Sequence, residues 1–275
     1  MGRLEGQVAF ITGAARGQGR SHAVRLAEEG CDIVAFDLCD DIPGVPYPGP
    51  RETDLQETVR QVEAAGRRVI SAVGDVRDLA ALSDVVDRGM DAFGRLDIVL
   101  ANAGIVAFGP TLEMSEDSWL TMIDINLSGV WKTVKAAVPH VLDGGRGGSV
   151  VITSSSASFM TMENVAHYTA AKSGLVGLMR VLAKELGPHR IRVNTVHPTT
   201  VATEMVMHDA TYRLFRPDLP SPTRADIEPI LETMHTLPVA GVESIDISNA
   251  ILYLVSDEGR YVTGTTLDVT AGAEL

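Results

Sequence analysis

Cysteine is scarce in this chain: Cys31 and Cys39 are the only two, and their CxxxxxxxC separation matches neither a disulfide framework nor a pair of metal ligands. Both are expected to be small buried residues, and no metal site is expected. Long apolar runs are missing as well. The first, VAFI at 8–11, is too short for a signal-peptide core, and nothing approaches the ~18 apolar residues of a membrane span, so a cytoplasmic protein is expected. Positive clusters are absent too. A formal net charge of -13, with no run rich in lysine or arginine, would repel phosphate backbones and acidic membrane surfaces, which argues against nucleic-acid binding.

What is present suits one large soluble domain: 275 residues, 45% apolar and 21% charged. Short β-branched runs alternate with longer amphipathic stretches. QVAFIT, DIVAFD, RRVISAV, LDIVLAN, GSVVITS, RIRVNTV and TTLDV are the candidate strands. They are apolar throughout rather than alternating, as expected of a parallel sheet covered by helices on both faces. No repeat or linker divides residues 1–275. Two segments break the rhythm: an acidic insertion at 38–54 with four prolines, and a stretch from about 199 to 242 rich in Met, Thr and Pro. Both follow strands, where an insertion can cover a ligand crevice.

The first strand leads into TGAARGQG, Thr12 to Gly19, and then a helical pattern. Glycines at 13, 17 and 19 allow a tight turn that brings amides and a helix N-terminus against a pyrophosphate. The second strand ends in Asp37, 18 residues after Gly19, where a ribose 2′-hydroxyl needs an acceptor. The predicted fold is therefore α/β, a Rossmann-type doubly wound domain with a seven-stranded parallel sheet. A carboxylate at 37 favours NAD over NADP; Arg16, within the turn, is the counter-signal because it can reach a phosphate.

Residues 166–174 read AHYTAAKSG and set Tyr168 four positions before Lys172, one of only four lysines. On a helix the two share one face. TGxxxGxG at 12–19, NAG at 102–104, Asn126 in NLSG, a serine in ITSSSA and YxxxK at 168–172 follow in that order. This set resembles the short-chain dehydrogenase/reductase superfamily over essentially the whole chain. The TGAARGQGRSHAVRLAEEG opening, and FDLC followed by the proline-rich insertion, resemble its mycofactocin-associated, carveol dehydrogenase-like branch.

The resemblance implies that Tyr168 transfers a proton to or from the substrate oxygen and that Lys172 assists it while hydrogen-bonding the nicotinamide ribose. A free phenol has a pKa near ~10, so phenolate near pH 7 requires about 4 kcal/mol of stabilisation. One ammonium at ~4 Å and an effective dielectric near 20 supplies about that much. The family serine, 13 residues before the tyrosine, selects Ser155, which would hold the substrate oxygen; Ser154 and Ser156 are read as turn residues. Asn126 matches the position whose backbone holds a water leading from Lys172 to solvent. The resemblance also assigns cofactor contacts to Gly13, Arg16, Gly17, Gln18 and Gly19 in the turn and to Asp37 and Leu38 after the second strand. Asp75 and Val76 match the adenine contact, and Asn102, Ala103 and Gly104 the turn beneath the adenine ribose. Pro198 matches, with Thr199 where the family commonly has glycine, and Val201 and Thr203 would meet the carboxamide. His167 and His197 are read as packed rather than reactive.

Phe159, Met160 and Met162, with Met205, Val206, Met207, Tyr212, Leu214 and Phe215, are candidate walls for a hydrophobic alcohol or ketone, of which Phe159, Met160 and Met205 are the foremost. The resemblance further implies a homotetramer formed through helices at 116–140 and 166–187. It also implies NAD retained by the insertion at the adenosine end and reoxidised by a carrier, mycofactocin. The alternatives are an NADP-dependent ketone reductase with freely exchanging cofactor, a nucleotide-sugar epimerase, disfavoured by the first turn, and a non-catalytic NAD-binding regulator.

Overall fold

The central apolar runs become strands because nearly every position in them is covered. All five residues of β1 (Val8–Thr12) are buried, and their side chains alternate between two cores. Val8 and Phe10 join one cluster, Ala9 and Ile11 the other. Burying a side chain such as Phe10 or Ile11 is worth roughly 1.5–3 kcal/mol.

In the computed structural model, which describes residues 2–273 and 275, the chain continues as α1 (Gly17–Glu28), β2 (Asp32–Asp37), α2 (Glu52–Ala64), β3 (Val69–Val73), α3 (Leu79–Phe93) and β4 (Ile98–Ala101). Then come α4 (Glu116–Ile123), α5 (Gly129–Gly144), β5 (Gly148–Thr153), α6 (Ala166–Leu186) and β6 (Ile191–Pro198). The last elements are α7 (Asp209–Phe215), α8 (Arg224–Thr233), α9 (Ser244–Val255) and β7 (Thr266–Val269). The strands form one sheet in the order β3-β2-β1-β4-β5-β6-β7, and each neighbouring pair is parallel. This is the single-domain doubly wound fold expected from the sequence. The strand order reverses between β1 and β4, which opens a crevice at their carboxyl ends.

Helix boundaries follow local chemistry. Asp78 caps α3 by accepting from Ala80 N at 2.8 Å and Ala81 N at 3.2 Å, and Gly94 ends it in the left-handed region at φ 72°. Between α4 and α5 the chain makes a π-helical turn, Asp124–Ser128, which carries Asn126. Such turns occur often at functional positions.

The two interruptions are ordered differently from their sequence boundaries. Residues 52–54 belong to the first turn of α2, because the Asp54 carboxylate accepts from Arg51 N at 2.7 Å and caps the helix start. The insertion proper turns away from β2 at Cys39, in the left-handed region at φ 55°. Asp41 then accepts from Gly49 N at 2.8 Å and pairs with Arg51 at 2.8 Å, which closes the loop. The later stretch contains α7 and α8, and a bridge between Val201 and Val242 closes its base. Cys31 and Cys39 are free and buried, as expected. Among the described residues no helix is long and apolar enough to cross a membrane, and no group of His, Cys, Asp or Glu is arranged to hold a metal.

Candidate active site

A cleft lies over the carboxyl ends of β1, β2, β4, β5 and β6. The turn after β1 forms one end. Gly13 and Gly17 have φ of +69° and +54°, which disfavours a side chain at either, and a Cβ on Gly19 would lie 1.9 Å from Gly13 O. The turn therefore holds its amides and the start of α1 close to the cleft, and the buried Gln18 Oε1 beside it has no protein partner. These features fit a pyrophosphate.

Asp37 ends β2 at the floor of the cleft, where its carboxylate accepts from Ala15 N at 2.8 Å and Cys39 N at 3.4 Å. Burial raises its pKa, while the amides of Ala15 and Cys39 act in the opposite direction. Leu38, Asp75 and Val76 line the same end. Arg77 engages Asp75 at 2.6 Å and lowers its pKa in spite of burial.

Asn102 knits three strand ends together. Its Nδ2 donates to Thr12 O at 3.1 Å, and its Oδ1 accepts from Thr153 Oγ1 at 3.2 Å. That role takes Asn102 out of β4 and explains why this strand is shorter than the apolar run. Two positions on, Gly104 meets the centre of the site. A Cβ there would sit 2.6 Å from Asn126 Oδ1 and 3.4 Å from Lys172 Nζ. Asn126 is fully buried; its side chain accepts from Ile105 N and donates to Ile105 O, each at 3.0 Å, which locks the π-helical turn to the loop after β4.

Tyr168 and Lys172 occupy the first turns of α6, with Lys172 Nζ 5.7 Å from the Tyr168 ring centroid. The ammonium is buried, donates to Thr153 O at 2.8 Å, and has its pKa pulled down to about 8 by desolvation. Burial raises the pKa of Tyr168, with Ser155 acting in the opposite direction. Ser154 and Ser155 both line the cleft, but Ser154 donates to Lys172 O at 3.0 Å and ties β5 to α6, whereas the Ser155 hydroxyl accepts from Ala157 N at 3.1 Å.

On the other wall stand Pro198, Val201, Thr203 and Met205. Thr199 keeps a negative φ, and its hydroxyl lies 2.9 Å from His235 Nε2, so the replacement of glycine is accommodated without strain. His197 is buried, with Nδ1 3.0 Å from Ser155 O and Nε2 2.8 Å from Thr195 Oγ1; burial pushes its pKa to about 4. His167 is buried as well.

The structure thus gathers on one cleft all the proposed cofactor residues and Asn126, Ser155, Tyr168, Lys172 and Met205. It does not bring Phe159 or Met160 there. Phe159 is 45% exposed and stacks on His197, with ring centroids 5.4 Å apart, rather than lining the cleft. Sequence reasoning missed Tyr47 and Ile105, which do line it. A lone aromatic between Pro46 and Pro48 was the available signal for Tyr47.

Fold and site together define a nucleotide-dependent oxidoreductase of the short-chain type. The family model described as short chain dehydrogenase matches residues 7–213, and the chain belongs to that family. It is 53% identical to "(-)-trans-carveol dehydrogenase" of Rhodococcus erythropolis over 100% of both chains. The crystal structure of a carveol dehydrogenase from Mycobacterium avium in complex with NAD superposes with a TM-score of 0.99, at 56% identity, covering 100% of this chain and 99% of that one. A short chain dehydrogenase from Mycobacterium paratuberculosis bound to NAD gives 0.90, at 45% identity and 99% coverage of both chains.

Proposed function

We propose that the protein is an NAD-dependent dehydrogenase that interconverts a hydrophobic, alicyclic secondary alcohol of the carveol type and its ketone. One observation carries the reading: Ser155, Tyr168 and Lys172 share a single cleft with the glycine turn and Asp37. The residues fit NAD. The turn would hold the pyrophosphate, Asp37 the adenosine ribose hydroxyls, and Lys172 the nicotinamide ribose. When bound, the dinucleotide supplies the hydride acceptor for the carbinol carbon and a positive charge beside the phenol.

The chain's own groups handle the proton. Ser155 Oγ orients the substrate oxygen, and Tyr168 Oη takes its proton. Because burial raises the Tyr168 pKa, the phenol is a poor base until positive charge accumulates beside it. Lys172 provides part of that charge from the same helix face, held in place by Thr153 O. Asn126 fixes the π-helical turn whose backbone would seat a water between Lys172 and solvent. The soft Met205 and Val206 side chains suit an apolar ring.

We further infer that NAD is retained through turnover and reoxidised by a dedicated carrier such as mycofactocin. The support is the ordered insertion, whose Pro48 carbonyl accepts from Arg16 across the phosphate turn. The test is to denature extensively gel-filtered protein, quantify the released nucleotide, and compare turnover on free NAD with turnover on an artificial electron acceptor. Near-stoichiometric NAD with turnover only on the acceptor is expected. Empty protein that turns over with free NAD would refute retention and leave an ordinary exchanging dehydrogenase.

A further inference from the structure

The insertion after β2 reaches beyond the adenosine end, where its position after Asp37 alone would put it. Pro48 stands at the phosphate turn, but Tyr47 beside it lines the cleft and reaches the loop after β4. Pro46 and Pro48 flank this tyrosine, and a residue before proline is held extended, so the ring projects from a stiff segment. Tyr47 is only 9% exposed. Its Oη accepts from Val106 N at 3.2 Å, in the loop after β4 that Asn126 also grips. Its ring lies 5.1 Å from the ring of His208, tilted by 41°, and His208 is the residue that opens α7. Ile42 and Val45 of the same insertion pack on the core cluster that contains Ile105. One side chain of the insertion thus touches two segments far from it in sequence: the loop after β4 and the start of α7.

We propose that Tyr47 is a positioning and specificity-determining residue for the alcohol, walling the substrate subsite and docking the α7 lid onto the insertion. The proposal rests on the dehydrogenase reading above and deepens it: substrate size is read partly by a segment that belongs to the cofactor half of the cleft. Tyr47 lines the cleft with Ser155, Tyr168, Met205 and Val206, and its phenol lies close enough to Tyr168 to feel its charge, so a ring held near Ser155 would meet it. Loss of the phenol ring frees both its wall and the lid start. Loss of the hydroxyl alone frees Val106 N and leaves the ring on His208.

The test uses the full chain as wild type, Y47F and Y47A. Hydrogen exchange on NAD-loaded protein is expected to accelerate in Y47A at both 38–51 and 204–216, and in Y47F chiefly around Val106. For Y47A the KM for a bulky alicyclic secondary alcohol should rise about tenfold, well above the change for a small acyclic one, with KM moving more than kcat. Acceleration confined to 38–51, or equal changes in KM for the two alcohols, would overturn the proposal and leave Tyr47 as an anchor of the insertion. Should the wild type oxidise neither alcohol, the dehydrogenase reading fails on its own, and the exchange pattern still upholds or overturns the joint between insertion and lid.

Discussion

Asp37, proposed to hold the adenosine ribose, shows how the fold prepares a single carboxylate. Burial at the end of β2 works against its charge, and the amides of Ala15 and Cys39 hold it in place. In Asp37→Ser, loss of a charged hydrogen bond should weaken NAD binding by roughly 10- to 100-fold, equivalent to about 1.5–3 kcal/mol, and narrow the preference over NADP. Titration of nucleotide-stripped protein with each of the two cofactors reads this directly. Gly104 makes a second residue-scale case. A methyl group there would press on Asn126 Oδ1 at 2.6 Å and meet Lys172 Nζ at 3.4 Å, so Gly104→Ala should cost at least tenfold in kcat by displacing these side chains, on the order of 1.4 kcal/mol. Its melting temperature should fall only a few degrees, measured by calorimetry. The glycine was legible in the NAG motif, but its reason was not, because Asn126 and Lys172 approach it from two other parts of the chain.

Among the elements, strands were the most legible part of the fold. β1, β2, β4, β5 and β6 are covered on both faces, and their continuous apolar runs have little alternative use, whereas the edge strands β3 and β7 are only partly buried. Edges were less legible. The proline-rich segment reads as uniform in sequence, yet Asp54 claims its last residues for α2 through a cap. The π-helical turn at Asp124–Ser128 has no periodicity of its own, and it appears only once Asn126 bonds to the loop after β4. Packing of α1 on α9 carries a pH prediction. His22 is fully buried between them, with Nδ1 2.8 Å from Ser248 Oγ, and burial drives its pKa down to about 3, with Asn102 acting in the opposite direction. The unfolded imidazole titrates near ~6.5, so between these values the unfolded chain binds the extra proton. Stability therefore falls as pH drops below ~6.5, by about 1.4 kcal/mol per unit from this group, roughly 3 kcal/mol by pH 4. Urea midpoints of His22→Gln, measured from pH 7 to 4, should show a flatter decline than those of the wild type.

Across the whole molecule, the cofactor half of the site was readable because each contribution is a short turn directly after a strand. A parallel sheet necessarily collects those turns at one end. The proposed substrate half was readable only in part: Ser155, Met205 and Val206 were named from the sequence and line the cleft, whereas Tyr47 and Ile105 reach it from the insertion and the loop after β4, which no sequence spacing relates, and Phe159 stacks on His197 instead. The proposed homotetramer also belongs to this scale. Trp119 on α4 and Trp131 on α5 are 40% and 45% exposed, a costly arrangement for a monomer and a suitable one for a helix interface. Light scattering should give about four times the 29.3 kDa chain mass, and Trp131→Arg should lower it.

The central claim is that Tyr168 takes the alcohol proton while hydride passes from the carbinol carbon to NAD. The most direct measurement is a single turnover with a secondary alicyclic alcohol deuterated at that carbon, followed by mass spectrometry of the released nucleotide. Deuterium in the reduced nicotinamide from wild type, with none from Tyr168→Phe despite equal NAD content, is the result expected. Unlabelled nucleotide from wild-type protein, or equal labelling in both proteins, would contradict it.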